Sequence, residues 1–318
     1  MADEITIGLD IGGTKMAFVV ADRQGNIHHA SSLPTEAQAD FALTLKRIIE
    51  QLNPLIARYE NVCGIGIGVP GPVDSVRGVA LHAANLGWKN VGLRDAIAEL
   101  LLRPLPIYLD NDVNAGAIGE KLFGAAKGVS NCLYLIVGTG LGGAVISNNR
   151  LLRGASNSEM EIGHVSLDPI NGLLCACGQR GCLETTASGK GIVAQALDRI
   201  GDYPHSRLSS KAITTHEIIR LAGEGDALAV KVMNQAADAL GIACAWCVNL
   251  FNPSLIIFAG GLARASWHLL EKPLRQSMRA RCLPLNDEAV TLSLSKLNDG
   301  ALGASALAWH QEEQTDQP

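Results

Sequence analysis

Twice in its 318 residues the chain repeats one pattern: an apolar strand, a turn of glycine and threonine, and an apolar strand returning. The first copy runs Ile5-Thr-Ile-Gly-Leu-Asp10, Ile11-Gly-Gly-Thr-Lys15 and Ala17-Phe-Val-Val-Ala21. The second runs Cys132-Leu-Tyr-Leu-Ile-Val137, Gly138-Thr-Gly-Leu-Gly-Gly143 and Ala144-Val-Ile146. Apolar runs joined by Gly-rich turns read as hairpins. Without side chains in the way, backbone amides in such turns can approach phosphate oxygens closely. Two phosphate-grade turns in one chain predict a duplicated α/β domain with a cleft between the halves. Neither turn is a Walker A loop. Gly138, Gly140 and Gly143 fit GxGxxG loosely, but the residues that follow read as strand, whereas a dinucleotide site needs a helix there.

Between and after the hairpins the apolar spacing predicts helices over 37–59, 92–102, 113–123, 189–200, 215–224 and 226–250. It predicts strands over 62–69, 107–109 and 254–258, and a closing helix from Gly300 onward, with loose polar residues at the end. Pro70-Gly-Pro72 ends the strand at Val69, and Gly260-Gly261 caps the strand at Phe258. A net charge of −5 and 4% aromatic residues argue against a nucleic-acid partner. No apolar run is long enough for a membrane span, and the start lacks the pattern of a secretory signal. Eight cysteines without such a signal point to a reducing compartment, the cytoplasm, where thiols are free or metal-bound. Cys244 and Cys247 form a CxxC inside an apolar helical run and read as core packing.

The other cysteines of interest lie close together: Glu161-Ile-Gly-His164, then Cys175-Ala-Cys177-Gly-Gln-Arg-Gly-Cys182-Leu-Glu184. Three thiolates and an imidazole make a closed tetrahedral set for a structural Zn²⁺. The glycines at 172, 178 and 181 let the loop fold back on one ion. Glu161 and Glu184 flank the cluster, and as hard ligands they suit a thiolate-rich zinc poorly, so they read as reserved for another task. The plainer reading is a set of reduced thiols beside an unrelated histidine. Cysteines in a loop of turn residues make poor core filler.

Asp110-Asn111-Asp112 ends a strand and begins a helix. Asp and Asn fill N-caps routinely, but two acids around an Asn exceed what one cap requires, so at least one reads as functional. In the first turn, Asp10 would lie near the magnesium that accompanies a nucleotide.

Taken in order, Asp10 to Lys15, Asn111-Asp112-Val-Asn114, Gly138 to Gly143, Glu161 to His164 and Cys175 to Glu184 resemble the motifs of the ROK family. With Gly260-Gly261 and the stretch from Gly300 to Ala304, the resemblance spans the chain. It implies a two-domain α/β, actin/hexokinase-like (ribonuclease H-like) fold with a central cleft and a structural zinc loop. The halves would be residues 1–112, with a C-terminal helix of about 302–318 packed on them, and 113–301. The implied activity is phosphorylation of a hexose or N-acetylhexosamine with ATP and Mg²⁺, by a homodimer or homotetramer.

Carried over residue by residue, Asp112 would be the general base for the sugar 6-hydroxyl. Gly71, Asn85, Asn111, Glu161, His164 and Glu184 would hold the sugar. His164 would also ligate zinc with Cys175, Cys177 and Cys182. Asp10, Gly12, Gly13, Thr14 and Lys15, with Gly138, Thr139 and Gly140, would hold the ATP phosphates and their metal, and Gly260 and Gly261 would lie by the adenosine.

His82-Ala-Ala-Asn-Leu-Gly-Trp-Lys89 resembles the NLxW segment of family glucokinases and favours glucose. N-acetylmannosamine, N-acetylglucosamine, fructose and allose are the alternatives. The chain departs from the family at Glu159-Met160, where Ala-Gly is usual, so the loop over the C1–C2 edge of a sugar would be reshaped. It also begins almost at its first strand, without the helix-turn-helix of family repressors. A sugar-responsive regulator would be expected to lack the base or the phosphate turns, and both are intact. A zinc enzyme would need an open coordination position, and four protein ligands leave none.

Overall fold

The structure, a computed structural model, describes residues 4–36, 40–208 and 213–315, with side chains described to His310. It divides into two compact units. One comprises 1–128, 151–159 and 295–318, the other 129–150 and 160–294. The sequence predicts a boundary after residue 112, but the division falls after Gly128. The helix Asp112–Phe123 packs on the strand Val62–Val69 and on the closing helix Gly300–Thr315, both in the first unit.

In the first unit a five-stranded sheet has the order Ile27–Pro34, Lys15–Asp22, Ile5–Ile11, Val62–Val69, Ile107–Asn111. The first three strands are antiparallel neighbours and the last two join in parallel. Strand alternation gives the sheet two different faces. Ile7, Leu9, Ile65 and Ile67 enter a core with Ile48, Leu52 and Ile56 of the helix Phe41–Arg58. Gly8 and Gly66, paired in register, turn to the other face, where the closing helix crosses. A Cβ on Gly8 would sit 1.9 Å from the Ala301 carbonyl oxygen, and one on Gly66 1.9 Å from that of Ala304. The run Gly64-Ile-Gly-Ile-Gly68 is thus a strand with one side cleared for a helix. Gly66→Ala is expected to cost about 1–3 kcal/mol or more by overpacking. Urea unfolding checks this, and an unchanged midpoint would contradict so close an approach.

The second unit repeats the design. Its sheet has the order Arg150–Leu151, Leu141–Ser147, Cys132–Val137, Leu255–Ala259, Thr291–Leu294, again a hairpin continued by parallel strands. Helix Ala227–Phe251 starts at Asp226, whose side chain accepts from the Leu228 and Ala229 N–H groups, and stops at Asn252 in a left-handed conformation. Cys244 and Cys247 are buried in it, as core residues. Helix Gly261–Arg279 packs against it but has no counterpart in the periodicity. Breaker residues, Gly260-Gly261 and Pro273, stand at its start and inside it, and Ser266 and Ser277 interrupt its buried face.

Elsewhere the predicted helices occur with shifted ends. The one over 92–102 is only Leu93–Ala98, because the Asn53 side chain takes up the Leu100 carbonyl and the Leu102 N–H outside any helix. The helix predicted from residue 37 begins at Phe41, and 37–39 lie outside the described residues, as do 316–318 of the tail. No helix among the described residues is long and apolar enough to cross a membrane.

Candidate active site and metal cluster

In the first unit, the parallel register sets Asp10 beside Gly68 and Gly68 beside Asp110 at the ends of three strands. The missing side chain of Gly68 makes room for the acids. A Cβ there would lie 3.4 Å from the Asp112 Cα and 3.7 Å from Asp10 Oδ1. The two acids around Asn111 have separate roles. Asp110 is buried; its Oδ1 accepts from the Asn111 N–H and from Asn114 Nδ2, and its Oδ2 pairs with Arg153 at 2.7 Å. Both of its oxygens are engaged by neighbouring groups of the same unit. The N-cap is Asn111, whose Oδ1 accepts from Val113 and Asn114 while Nδ2 donates to the Gly71 carbonyl at 2.9 Å. Asp112 opens the helix, and burial raises its carboxyl above the ordinary value, although the Val113 N–H lowers it.

Asp10 is raised to about 7, by burial first and then by the charges of Asp112 and Asp299, with Lys15 opposing. Three carboxylates and one lysine leave an excess of negative charge that fits a divalent cation such as Mg²⁺. A carboxyl at 3.8 when unfolded and about 7 when folded favours the protonated form, so stability falls as pH rises between those values. The loss is at most about 4 kcal/mol. In magnesium-free buffer, Asp10→Asn is expected to flatten this decline, with a higher melting temperature than wild type at pH 8 and little difference at pH 4. Parallel pH curves for the two proteins would contradict it.

The first glycine turn is tight. The Gly12 N–H donates to the Lys15 carbonyl at 2.9 Å, and Thr35 straps it by donating its hydroxyl to Gly12 and its N–H to Thr14. Thr14 and Lys15 are exposed at the tip. Asn85 lies beside this turn, its Cβ 3.3 Å from where a Cβ on Gly13 would be.

In the second unit, one ligand atom each from His164, Cys175, Cys177 and Cys182 lie within 4.8 Å of one another. The Cys177 and Cys182 sulfurs are 3.6 Å apart, and Cys175 Sγ is 3.7 Å from His164 Nδ1. A tetrahedron with Zn–S bonds of about 2.3 Å has edges of about 3.8 Å, so the donors fit zinc in number, type and spacing. Gly178 and Gly181 adopt left-handed φ of 90° and 69°, and the Asp168 carbonyl fills the place of a Gly181 Cβ. His164 turns Nδ1 to the sulfurs and Nε2 toward Glu161 Oε2 at 4.0 Å. Ligation through Nδ1 would leave Nε2–H a fixed donor.

Glu184 packs beside Gly163, where an added Cβ would lie 3.7 Å from the Glu184 Cβ. Its Oε2 accepts the Leu141 N–H at 2.9 Å, against the second glycine turn. On that turn's other side, the Gly189 N–H donates to Gly138 and the Lys190 N–H to Thr139. Gly260, at φ 92°, presses on the Val137 backbone. A cavity of about 600 Å³ opens here, lined by Gly138, Thr139, Gly261, Lys190, Val193 and Thr215 among others. Its size and its mixed walls suit a nucleoside.

A model of the ROK family matches residues 6–311. The chain belongs to the ROK family. It is 34% identical to a glucokinase of Halalkalibacterium halodurans, over 98% of this chain and 97% of that one. It is 31% identical to a xylose repressor of Caldicellulosiruptor bescii, over 95% of this chain and 77% of that one. A ROK glucokinase from Streptomyces griseus, solved with glucose and AMPPNP, superposes with a TM-score of 0.78 at 32% identity, covering 96% of this chain and 98% of that one.

The ROK motifs account for the turns, the acids and the cysteine-histidine loop, but not for all of these contacts. Thr35, Asp299 and the cavity residues Lys190, Val193 and Thr215 carry no motif signal, since each reaches its place only through the fold. The Glu159-Met160 departure now has a contact. Glu159 Oε1 accepts from Asn114 Nδ2 at 2.9 Å, tying the segment 151–159 to the helix of Asp112 through the same amide that holds Asp110. Met160 follows at φ 56°, a strained conformation for its side chain.

Proposed function

We propose that this sugar kinase transfers the γ-phosphoryl group of ATP to the 6-hydroxyl of glucose, with Asp112 as the general base. One observation carries the reading: a carboxyl raised by burial opens a helix beside Asp10 and next to a cap, Asn111, that is anchored to Gly71. A base of raised pKa draws a hydroxyl proton more strongly than an ordinary aspartate. As the 6-oxygen forms its bond to the γ-phosphorus, its proton passes to Asp112 and the bond from the γ-phosphorus to the bridging oxygen breaks, leaving ADP. The chain's part is positioning and charge placement.

The sugar hydroxyls fall to Gly71, Asn85, Asn111, Glu161, His164 and Glu184, and the phosphates to the two glycine turns with Lys15. Asp10 would hold Mg²⁺, which supplies charge neutralisation at the phosphates. Zinc on His164, Cys175, Cys177 and Cys182 supplies a fixed loop rather than a reacting centre.

Glucose is favoured by the segment around Asn85 and by the glucokinase relatives. Leu86 and Trp88 of that segment are buried, with Trp88 edge-on to Phe41 at 5.3 Å, so Asn85 sits on a rigid turn. The test is a coupled ADP-release assay over glucose, fructose, allose, N-acetylglucosamine and N-acetylmannosamine. Glucose should give the highest kcat/KM. Faster turnover of another sugar would reassign the substrate, and inactivity on all of them would favour a sugar-responsive regulator.

A further inference from the structure

The strongest contact without a task in the proposed reaction lies in the second unit, between the metal loop and the second glycine turn. The peptide of Leu141, directly after that turn, is gripped on both sides. Glu184 Oε2 accepts its N–H at 2.9 Å. Gly163 packs on its carbonyl, so closely that a Cβ there would lie 2.2 Å from the oxygen. Gly163 adjoins the predicted ligand His164, and Glu184 stands two residues after Cys182. The two arms are also tied together, because the Leu183 N–H donates to Val165 and Ser166 pairs with Cys182. The turn's other limb is held from the same stretch of chain, by the N–H groups of Gly189 and Lys190. Gly140 leaves the carboxylate its space, since a Cβ there would be 2.7 Å from Glu184 Oε2.

We propose that Glu184 is a positioning residue for the nucleotide turn, and that through it the metal loop sets the affinity for ATP and ADP as well as for sugar. The inference rests on the kinase reading given above. One carboxylate oxygen holds Leu141, while the other serves the sugar. The amide needs only an acceptor, whereas sugar hydroxyls gain from the charge. Glutamine should therefore replace glutamate for one task and not for the other.

The test compares Glu184→Ala with Glu184→Gln by calorimetry with ADP and by KM for glucose. The alanine variant should bind ADP about tenfold or more weakly, the loss expected for one hydrogen bond to a charged group. The glutamine variant should stay within about threefold, and both should raise the glucose KM. Hydrogen exchange at the Leu141 amide should speed up in the alanine variant and remain slow in the glutamine variant. If alanine does not fold, Glu184→Asp, too short to reach Leu141, takes its place. Unchanged ADP affinity in the alanine or aspartate variant, or an equal loss in the glutamine variant, would overturn the positioning role. A wild-type protein that binds no ADP would instead overturn the kinase reading.

Discussion

Asp112→Asn is expected to lower kcat by about 10²–10⁴-fold, the usual contribution of a positioned general base. Glucose affinity should stay within a few-fold, because asparagine keeps the size and most of the hydrogen bonding of the side chain. The fold should not suffer. Asp112 accepts only local backbone N–H groups, its burial opposes its charge, and it raises the neighbouring Asp10 carboxyl. Removing that charge relieves both groups, so the variant should melt no lower than wild type at neutral pH. In the wild-type enzyme, kcat/KM should fall on the acid side at a pH above the ordinary 3.8 of an aspartate, since Asp112 must be ionised to accept the proton and burial raises it. Stopped turnover together with an intact melting curve is the expected pair of results. Wild-type turnover in Asp112→Asn would remove the base from Asp112. A large drop in melting temperature would mean that the carboxylate holds the fold instead.

Local features of this site were legible in sequence, and features made by distant contacts were not. The two hairpins are each contained in one short stretch, and the cysteine loop carries its own turn glycines, so both could be read without a structure. The repeat pointed to a duplicated design, and the two sheets do share a strand order, which the repeat itself does not specify. Residue type alone does not separate Asp110 from Asp112, and only the family resemblance singles out Asp112; the structural difference is Arg153, which reaches Asp110 from a segment far along the chain. Asp10 illustrates the same limit. Its carboxyl is raised by burial first and then by Asp112, and a further part comes from Asp299, just ahead of the closing helix. Glu184 shows a third case: its motif assigns it to the sugar, and the fold adds a contact the motif does not carry, one oxygen on the Leu141 N–H after the glycine turn. A motif gives a residue's chemistry, but which of its atoms are already engaged depends on packing.

Removal of the metal should have the second large effect. Stripping zinc with a chelator under reducing conditions is expected to raise the glucose KM by about 10–100-fold, the range seen when the supports of a site are lost, and to lower the melting temperature. The reason lies in the thiols. Burial, with the neighbouring Cys177 and Cys175 sulfurs, pushes the Cys182 thiol up to about 12, so these sulfurs do not share one small space as thiolates without a cation among them. With the ion gone, nothing fixes His164 Nδ1, and its Nε2 loses a defined direction toward Glu161. Cys182→Ala should reproduce the chelated state and resist rescue, whereas the stripped wild type should regain its KM when zinc is returned. Metal analysis should find one zinc per chain before stripping. A stripped enzyme that kept its glucose KM within twofold would mean that the loop stands on its hydrogen bonds and tight glycine turns alone, and that the cluster has no part in holding the sugar.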